Sequence, residues 1–214
     1  MLKGIPLFSS LDEATLRHLD SVATKRSYQK NAILIHEGDE TDQLYAILSG
    51  KIKVVVMDPG GREIVVNLLC PGDCFGELAM IDGESRSATI ITVEPTQVMT
   101  IHRADFLPLL SSNPELMFNL LKVLAKKVRA ATRMVESLAF EDVYARLVRL
   151  LINLARPSGD LLAIEEKLTH QEIANMIGSS REVVSRMLKA LSRGGYIDIE
   201  KKKICLKRKL PPTF

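Results

Sequence analysis

The chain has 214 residues, 46% hydrophobic and 26% charged, which is typical of a globular protein with one or two domains. No apolar run approaches the roughly 20 residues of a membrane span, and the first residues lack the features of a signal peptide. We therefore expect a cytoplasmic protein with no membrane partner. The net charge is +3, and three cysteines (Cys70, Cys74 and Cys205) are too few for a disulfide framework.

The N-terminal half predicts one short helix followed by an antiparallel β domain. Residues 10–23 begin with Ser-x-x-Glu and carry apolar residues at helical spacing. Between Ala32 and His102, short segments rich in β-branched residues alternate with turn signals such as HEGDE, DPGGR and VEPT. No helix-length segment separates them, which excludes parallel α/β topology and favours a jelly roll.

Residues 114 to 140 predict a long helix, with Pro114 in its first turn and Asn113 as its cap. Its apolar residues recur at alternating steps of four and three, an a/d heptad: Met117, Leu121, Leu124, Val128, Ala131, Val135 and Leu138. The pattern favours a homodimer through a parallel coiled coil. The alternative is a helix packed on its own domain, which usually has a wider apolar stripe.

The heptad is interrupted at Phe140-Glu141-Asp142, which we interpret as a hinge before a new helix, VYARLVRLLINLA. That helix ends at RPSGD, and RPSGDLLAIEEK is expected to be a loop. The predicted architecture is α+β, with a β domain over 1–112, a dimerisation helix and hinge over 113–140, and a C-terminal domain over 141–214.

Residues 168–199 are typical of a helix-turn-helix. Thr169 and Glu172 form a predicted capping box, Gly178 lies in the turn, and a second helix starts at the two serines after it. The β segments YIDIE and KICLKR complete a winged helix-turn-helix.

Charge is distributed unevenly along the chain. From Lys167 onward, eleven Lys and Arg face four Asp and Glu, a net charge of +7, so residues 1–166 carry −4. A basic end on an acidic body indicates a polyanion partner; the alternative is a solvated lysine-rich tail.

The second helix of this motif has a polar face suited to reading DNA. Its core face carries Val184, Met187, Leu188 and Leu191, and the opposite face carries Arg181, Glu182, Ser185, Arg186 and Lys189. In a major groove, Arg matches the guanine acceptors and Glu accepts from the cytosine amine. Two alternatives stay open: Glu182 closes a second capping box with Ser179, and the arginines contact phosphates only.

Residues 74–92, CFGELAMIDGESRSATIIT, gather a carboxylate, a guanidinium and hydroxyls without a nucleophile–base pair. An Arg with hydroxyl and amide donors suits a singly charged cyclic phosphodiester. Residues 77–80 are predicted to form a helical turn whose N–H groups favour the same anion. The alternative is a surface Arg–Glu pair on a β loop.

Three motifs give the chain a resemblance to the Crp/Fnr transcription regulators, closest to the cyclic-AMP receptor protein branch. FGELAMIDGESRSAT resembles that family's phosphate-binding cassette, GSSREVVSR resembles its recognition-helix start, and LAFEDV is similar to its hinge. The match covers nearly the whole chain, with the parts in the same order.

The resemblance implies a nucleotide-binding role for each position of the cassette. Glu77 would accept from the ribose 2′-hydroxyl, Gly76 would permit close approach, and Arg86 would pair with the cyclic phosphate. Ser87 would donate a hydrogen bond to that phosphate from its hydroxyl, and Ala88 from its backbone N–H. Leu78 is the remaining residue of the cassette that is predicted to bind the nucleotide.

The family also contacts adenine through two hydroxyl residues on the long helix, which correspond here to Ala131 and Thr132. Thr132 keeps a hydroxyl that would reach the base across the dimer, and Ala131 has none. We therefore expect cyclic AMP as the effector, with weakened base readout; other cyclic nucleotides are possible.

For DNA, the resemblance implies that Arg181, Glu182 and Arg186 read a TGTGA-like half-site of a palindrome. The full predicted DNA-binding set is Thr169, Ser180, Arg181, Glu182, Ser185, Arg186, Lys189 and Lys202. RNA polymerase is a further expected partner, although the family's polymerase-contacting loop is shorter here.

The sequence also contains residues that would suit other functions. Haem or redox sensing would use Cys70, Cys74, His36 and His102. Cyclic di-GMP could be the effector in place of cyclic AMP, or the protein could bind DNA without any ligand. An enzyme is not expected, because the sequence lacks H-E-x-x-H, a P-loop and a nucleophile elbow. No metal is expected.

Overall fold

The computed structural model describes residues 2–158, 161–200 and 203–211. The chain forms two compact units, Met1–Val56 with Val66–Ala131, and Met57–Val65 with Thr132–Phe214. Among the helices in the described ranges, none combines the length and apolarity that crossing a membrane requires.

The N-terminal part of the chain contains the strands β1 (Thr24–Tyr28), β2 (Ile33–Ile35), β3 (Leu44–Ser49), β4 (Ile52–Met57), β5 (Glu63–Leu69), β6 (Cys74–Phe75), β7 (Thr89–Thr92) and β8 (Thr96–Ile101). They form two four-stranded sheets, ordered β1-β8-β3-β6 and β2-β7-β4-β5. Strand β8 pairs antiparallel with β1 and β3, and β7 pairs antiparallel with β2 and β4. The α+β fold class with an antiparallel β domain is thus confirmed.

Helices cover one side of this β domain. They are α1 (Glu13–Val22), α2 (Glu77–Asp82), α3 (Arg103–Ser112) and the first part of α4 (Pro114–Phe140), preceded by 3-10 turns at Leu2–Gly4 and Pro6–Phe8. Their apolar side chains share one buried core with strand residues, including Phe8, Leu19, Leu44, Met80, Met99, Phe106, Leu116 and Leu120. The start of α4 is therefore anchored on the β domain by one face only.

One predicted helix start needs correction. Helix α1 is capped by Asp12, whose carboxylate accepts from Thr15 N at 2.7 Å, and not by the earlier Ser-x-x-Glu motif. An N-cap residue directly precedes the first helical residue, and Ser10 lies two residues too early. Asn113 does lie at the cap position of α4, because its backbone carbonyl accepts from Met117 N at 3.1 Å, while its side-chain amide donates to Leu109 O of α3.

The C-terminal unit contains a second core, to which both its helices and its strands contribute. Its elements are α5 (Val143–Leu154), β9 (Arg156–Ser158), β10 (Leu161–Ile164), α6 (His170–Ile177), α7 (Arg181–Arg193), β11 (Ile197–Glu200) and β12 (Lys203–Leu206). The winged helix-turn-helix prediction is confirmed in this unit.

The prediction of a loop over RPSGDLLAIEEK is wrong. Strand β10 pairs with both β12 and β9, which makes the wing a four-stranded sheet ordered β11-β12-β10-β9. Ala163 and Ile164 are buried, at 1% and 0% exposed. The partner strand β12 lies some forty residues later in the chain, and such a pairing cannot be seen in local periodicity.

Candidate functional site

The cassette loop requires glycine at position 76. Gly76 has φ of 82° and precedes α2 directly. A Cβ atom there would lie 2.6 Å from Arg86 Nη1 and 2.7 Å from Gln43 O. The predicted helical turn is confirmed as α2, and the absent side chain lets the guanidinium pack on the loop.

Arg86 is buried, with 3% of its surface exposed. Its guanidinium donates from Nε to Thr41 Oγ1, from Nη1 to Gly76 O and from Nη2 to Gln43 O, each at 2.8 Å. All three acceptors are neutral oxygens, so they fix the orientation of the guanidinium without neutralising its charge. Burial lowers the pKa of Arg86, opposed most by Tyr45, but an arginine stays charged at neutral pH.

Glu77, the first residue of α2, is also buried, at 2% exposed. Its Oε2 accepts from Lys127 Nζ at 2.7 Å, and the same ammonium donates to Cys74 O at 3.1 Å. Lys127 comes from α4, so the long helix contributes directly to the cassette. Lys127 was not predicted from the sequence, because its partner Glu77 lies fifty positions earlier in the chain.

The other predicted nucleotide-binding residues have varied exposure. Ser87 is exposed and Ala88 half-buried, immediately after Arg86, while Leu78 is 45% exposed on α2. Thr132 is exposed on α4 and belongs to the C-terminal unit. The structure therefore brings together Gly76, Glu77 and Arg86, whereas the role of Thr132 stays a prediction.

The helix-turn-helix is built from capped helices, as predicted. Thr169 Oγ1 accepts from Glu172 N at 3.1 Å, and Glu172 Oε2 accepts from Thr169 N at 2.6 Å. Gly178 turns the chain with φ of 61°. Ser180 caps α7 by accepting from Val183 N at 3.3 Å.

Helix α7 separates core and polar faces as the sequence predicts. Val184, Leu188 and Leu191 are fully buried or nearly so. The exposed residues on the other side are Arg181, Glu182, Arg186 and Lys189, with Ser185 half-buried. The predicted contact Lys202 lies outside the described residues.

The alternative role of Glu182 in a second capping box is not observed. The cap is Ser180, which places Glu182 at the second helical position. Hydrogen bonds from its own backbone N–H and from the Ser180 hydroxyl lower the pKa of Glu182. The carboxylate is thus an ionised acceptor on the exposed face.

Comparison with known proteins agrees with both parts of this site. Residues 25–113 match the cyclic nucleotide-binding domain, and residues 145–209 match the Crp-like helix-turn-helix domain. The cyclic AMP receptor protein of Thermus thermophilus is 34% identical over 197 residues, covering 92% of this chain and 89% of that protein. The chain belongs to the Crp/Fnr family. It is accordingly a Crp/Fnr-type transcription regulator, a class of DNA-binding proteins without enzymatic activity.

Two further Crp/Fnr relatives differ in the effector that their names give. The cAMP-activated global transcriptional regulator CRP of Pasteurella multocida is 36% identical, over 77% of this chain and 80% of its own. The structure of the c-di-GMP responsive global regulator CLP of Xanthomonas campestris superposes with a TM-score of 0.81 and 25% identity, covering 92% of this chain and all of that one.

Cys70, Cys74, His36 and His102 are the candidate ligands for haem or a metal ion. Within residues 2–158, 161–200 and 203–211, no three His, Cys, Asp or Glu side chains converge as metal ligands do. Burial raises the pKa of the Cys74 thiol to about 12.

Proposed function

We propose that this Crp/Fnr regulator is a homodimer that binds cyclic AMP in its β domain and then a palindrome of TGTGA-like half-sites. The observation that carries the proposal is Arg86, a buried cation whose three hydrogen-bond acceptors are all neutral. A guanidinium has five donors, so two of its N–H groups have no acceptor among the described residues and remain for a ligand. Asp42, Asp39 and Glu77 raise the pKa of Arg86 through space, and one cyclic phosphate would add a counter-charge in direct contact with the guanidinium.

The residues around Arg86 suit the rest of a cyclic nucleotide. Ser87 and Ala88 follow it directly and offer a hydroxyl and an N–H. Glu77 is positioned by Lys127 to accept from the ribose 2′-hydroxyl with its carboxylate. No group in this constellation is placed as a nucleophile with a base, so the nucleotide is bound as an effector.

Cyclic AMP is the favoured effector because relatives at 34–36% identity are named for it. Cyclic di-GMP is the second candidate, on two observations. Ala131 lacks the hydroxyl that the family uses to contact adenine, and the regulator CLP, a structural match, is named as responsive to cyclic di-GMP. One lost neutral hydrogen bond reduces cyclic AMP affinity by about tenfold at most.

The a/d heptad of α4 supports the homodimer. Leu121, Val128 and Val135 are 55%, 65% and 66% exposed in the protomer, whereas Leu116 and Leu120 on another face are buried. Exposed apolar side chains at strict heptad spacing match a coiled-coil partner. A twofold pair would present two α7 helices to half-sites about one helical turn (about 34 Å) apart.

The remaining parts of the proposal follow from this function. The β domain would span 1–112, the dimerisation helix and hinge 113–140, and the DNA-binding domain 141–214. RNA polymerase would be the second macromolecular partner, and the cytoplasm, where bacterial DNA is transcribed, the location.

Arg186→Ala tests the DNA-reading part of the proposal. We expect a loss of roughly 1–3 kcal/mol on the palindrome and relaxed preference at one guanine, because Arg186 is exposed on α7 and would contact that base by two hydrogen bonds. Fluorescence anisotropy with palindromic and scrambled duplexes measures both effects.

The control is Lys202→Ala, a predicted phosphate contact, which should weaken both duplexes alike. If Arg186→Ala keeps the wild-type ratio between palindrome and scrambled DNA, Arg186 does not read a base.

A further inference from the structure

The corner between α4 and α5 is held together by side chains that have no role in the proposed nucleotide or DNA contacts. Helix α4 ends at Phe140, and Asp142 already caps α5 by accepting from Ala145 N at 2.7 Å. A single residue, Glu141, thus separates the last residue of one helix from the cap of the next. All of these residues lie in the C-terminal unit.

Three side chains close a ring across this corner. Arg149 Nη1 donates to Glu141 Oε1 at 2.6 Å, and Ser137 Oγ donates to Glu141 Oε2 at 3.0 Å. Arg149 Nη2 also donates to Ser137 Oγ, which closes the ring. We call Ser137, Glu141 and Arg149 the corner clasp; it joins the last turn of α4 to the second turn of α5.

The clasp joins a partly exposed ion pair to a buried hydroxyl. Ser137 is only 6% exposed, and its hydroxyl both donates one hydrogen bond and accepts one. The side chain of Glu141 is 32% exposed and that of Arg149 is 47% exposed. Exchanging any one member for a residue without its hydrogen bonds leaves the other two incompletely paired.

Arg146, one turn earlier on α5, extends the same connection to the helix-turn-helix. Its Nη1 donates to Glu141 O at 2.7 Å, and its Nε donates to Ile177 O at 2.8 Å. Ile177 is the last residue of α6, immediately before the turn at Gly178. Backbone carbonyls at the ends of helices lack intrahelical partners and carry partial negative charge, so a guanidinium is a suitable partner.

We propose that Ser137, Glu141 and Arg149 are positioning residues, which fix the angle between the end of α4 and α5 and thereby set the placement of α6 and α7 for DNA. Because Arg146 ties the same corner to α6, a change in the last turn of α4 would be passed to the helix-turn-helix. The inference rests on the proposed function, since the signal to be passed is nucleotide binding.

The test is the coupling between nucleotide and DNA in Arg149→Gln and Glu141→Gln. The dissociation constant for cyclic AMP is measured by calorimetry on the free dimer and on the dimer bound to the palindrome. The ratio of the two constants is the coupling factor, which is about 5–150 in typical allosteric proteins. In each variant we expect the coupling factor to be smaller than in the wild-type protein by at least about threefold, and closer to one.

Two controls separate positioning from general destabilisation. Arg156→Gln removes the same charge from the same unit, where Arg156 Nη1 contacts only the carbonyls of Asn153 and Ala155 among the described residues, and it should keep the wild-type factor. The double exchange Glu141→Arg with Arg149→Glu should recover part of the loss. A merely structural role would lower DNA affinity equally with and without nucleotide, leaving the factor unchanged.

Hydrogen exchange gives a readout that does not depend on the effector. The Glu141 N–H donates to Ser137 O at 3.1 Å, and it should exchange faster in Arg149→Gln than in wild type. An unchanged exchange rate, or clasp variants with the wild-type coupling factor, would overturn the inference alone. A coupling factor of one in the wild-type protein would instead overturn the proposed effector, and the clasp role with it.

Discussion

Replacing Arg86 with leucine is expected to weaken cyclic AMP binding by about tenfold to a hundredfold. The substitution removes a charge-assisted hydrogen bond to the phosphate, worth about 1.5–3 kcal/mol. It also leaves an anionic ligand in a buried site without its counter-charge, which adds to the loss. Calorimetry with cyclic AMP measures the effect, and nucleotide-dependent DNA binding should need a correspondingly higher cyclic AMP concentration.

Arg86 also supports the loop, because it donates to Thr41, Gly76 and Gln43. Arg86→Leu therefore needs a thermal denaturation control, in which some loss of stability is expected. Ser87→Ala is the matched variant, because the Ser87 side chain is exposed and its removal should not affect stability. We expect it to lose a smaller amount of cyclic AMP binding free energy, about 0.5–1.5 kcal/mol. Wild-type cyclic AMP affinity in a folded Arg86→Leu protein would disprove the phosphate role.

Replacing Val128 with glutamate is expected to dissociate the dimer. Val128 is 65% exposed in the protomer, so the isolated fold should tolerate a charge there. In a coiled coil, two facing carboxylates would be buried without partners, at a cost of about 3 kcal/mol or more. That cost corresponds to more than a hundredfold in the dimer dissociation constant.

Light scattering across a concentration series measures this change. Arg129→Glu is the control, because it places the same acid on the neighbouring exposed residue, outside the heptad seam. The wild-type protein and the control should be dimers at micromolar concentration. A wild-type monomer, or an unchanged dimer in Val128→Glu, would show that the seam is not the interface.

The sequence predicts most of the site because its determinants are local. Capping boxes, turn glycines and the spacing between Glu77 and Arg86 all lie within a few residues of each other. Lys127 was missed because its partner Glu77 is fifty positions away. The neutral acceptors of Arg86, Thr41 and Gln43, were missed for the same reason.

The elements that sequence reasoning missed depend on tertiary contacts. Strand β1 has almost entirely exposed residues and lacks apolar alternation, and its pairing with β8 defines it. Helix α3 contains Pro108 and shows little separation of apolar and polar faces. Strand β10 is a short apolar run that only its pairing with β12 identifies as a strand.

The most direct test of the proposed function is the affinity of the purified protein for a TGTGA-like palindrome, with and without saturating cyclic AMP, cyclic GMP or cyclic di-GMP. We expect cyclic AMP to tighten DNA binding by a modest factor, because Ala131 offers no hydroxyl to the base, and cyclic GMP to have some effect as well. A large gain from cyclic AMP with none from cyclic GMP would contradict the weakened base readout. If only cyclic di-GMP raises the DNA affinity, cyclic AMP is not the effector. Equal affinity for palindromic and scrambled DNA under every condition would contradict sequence-specific recognition of that site.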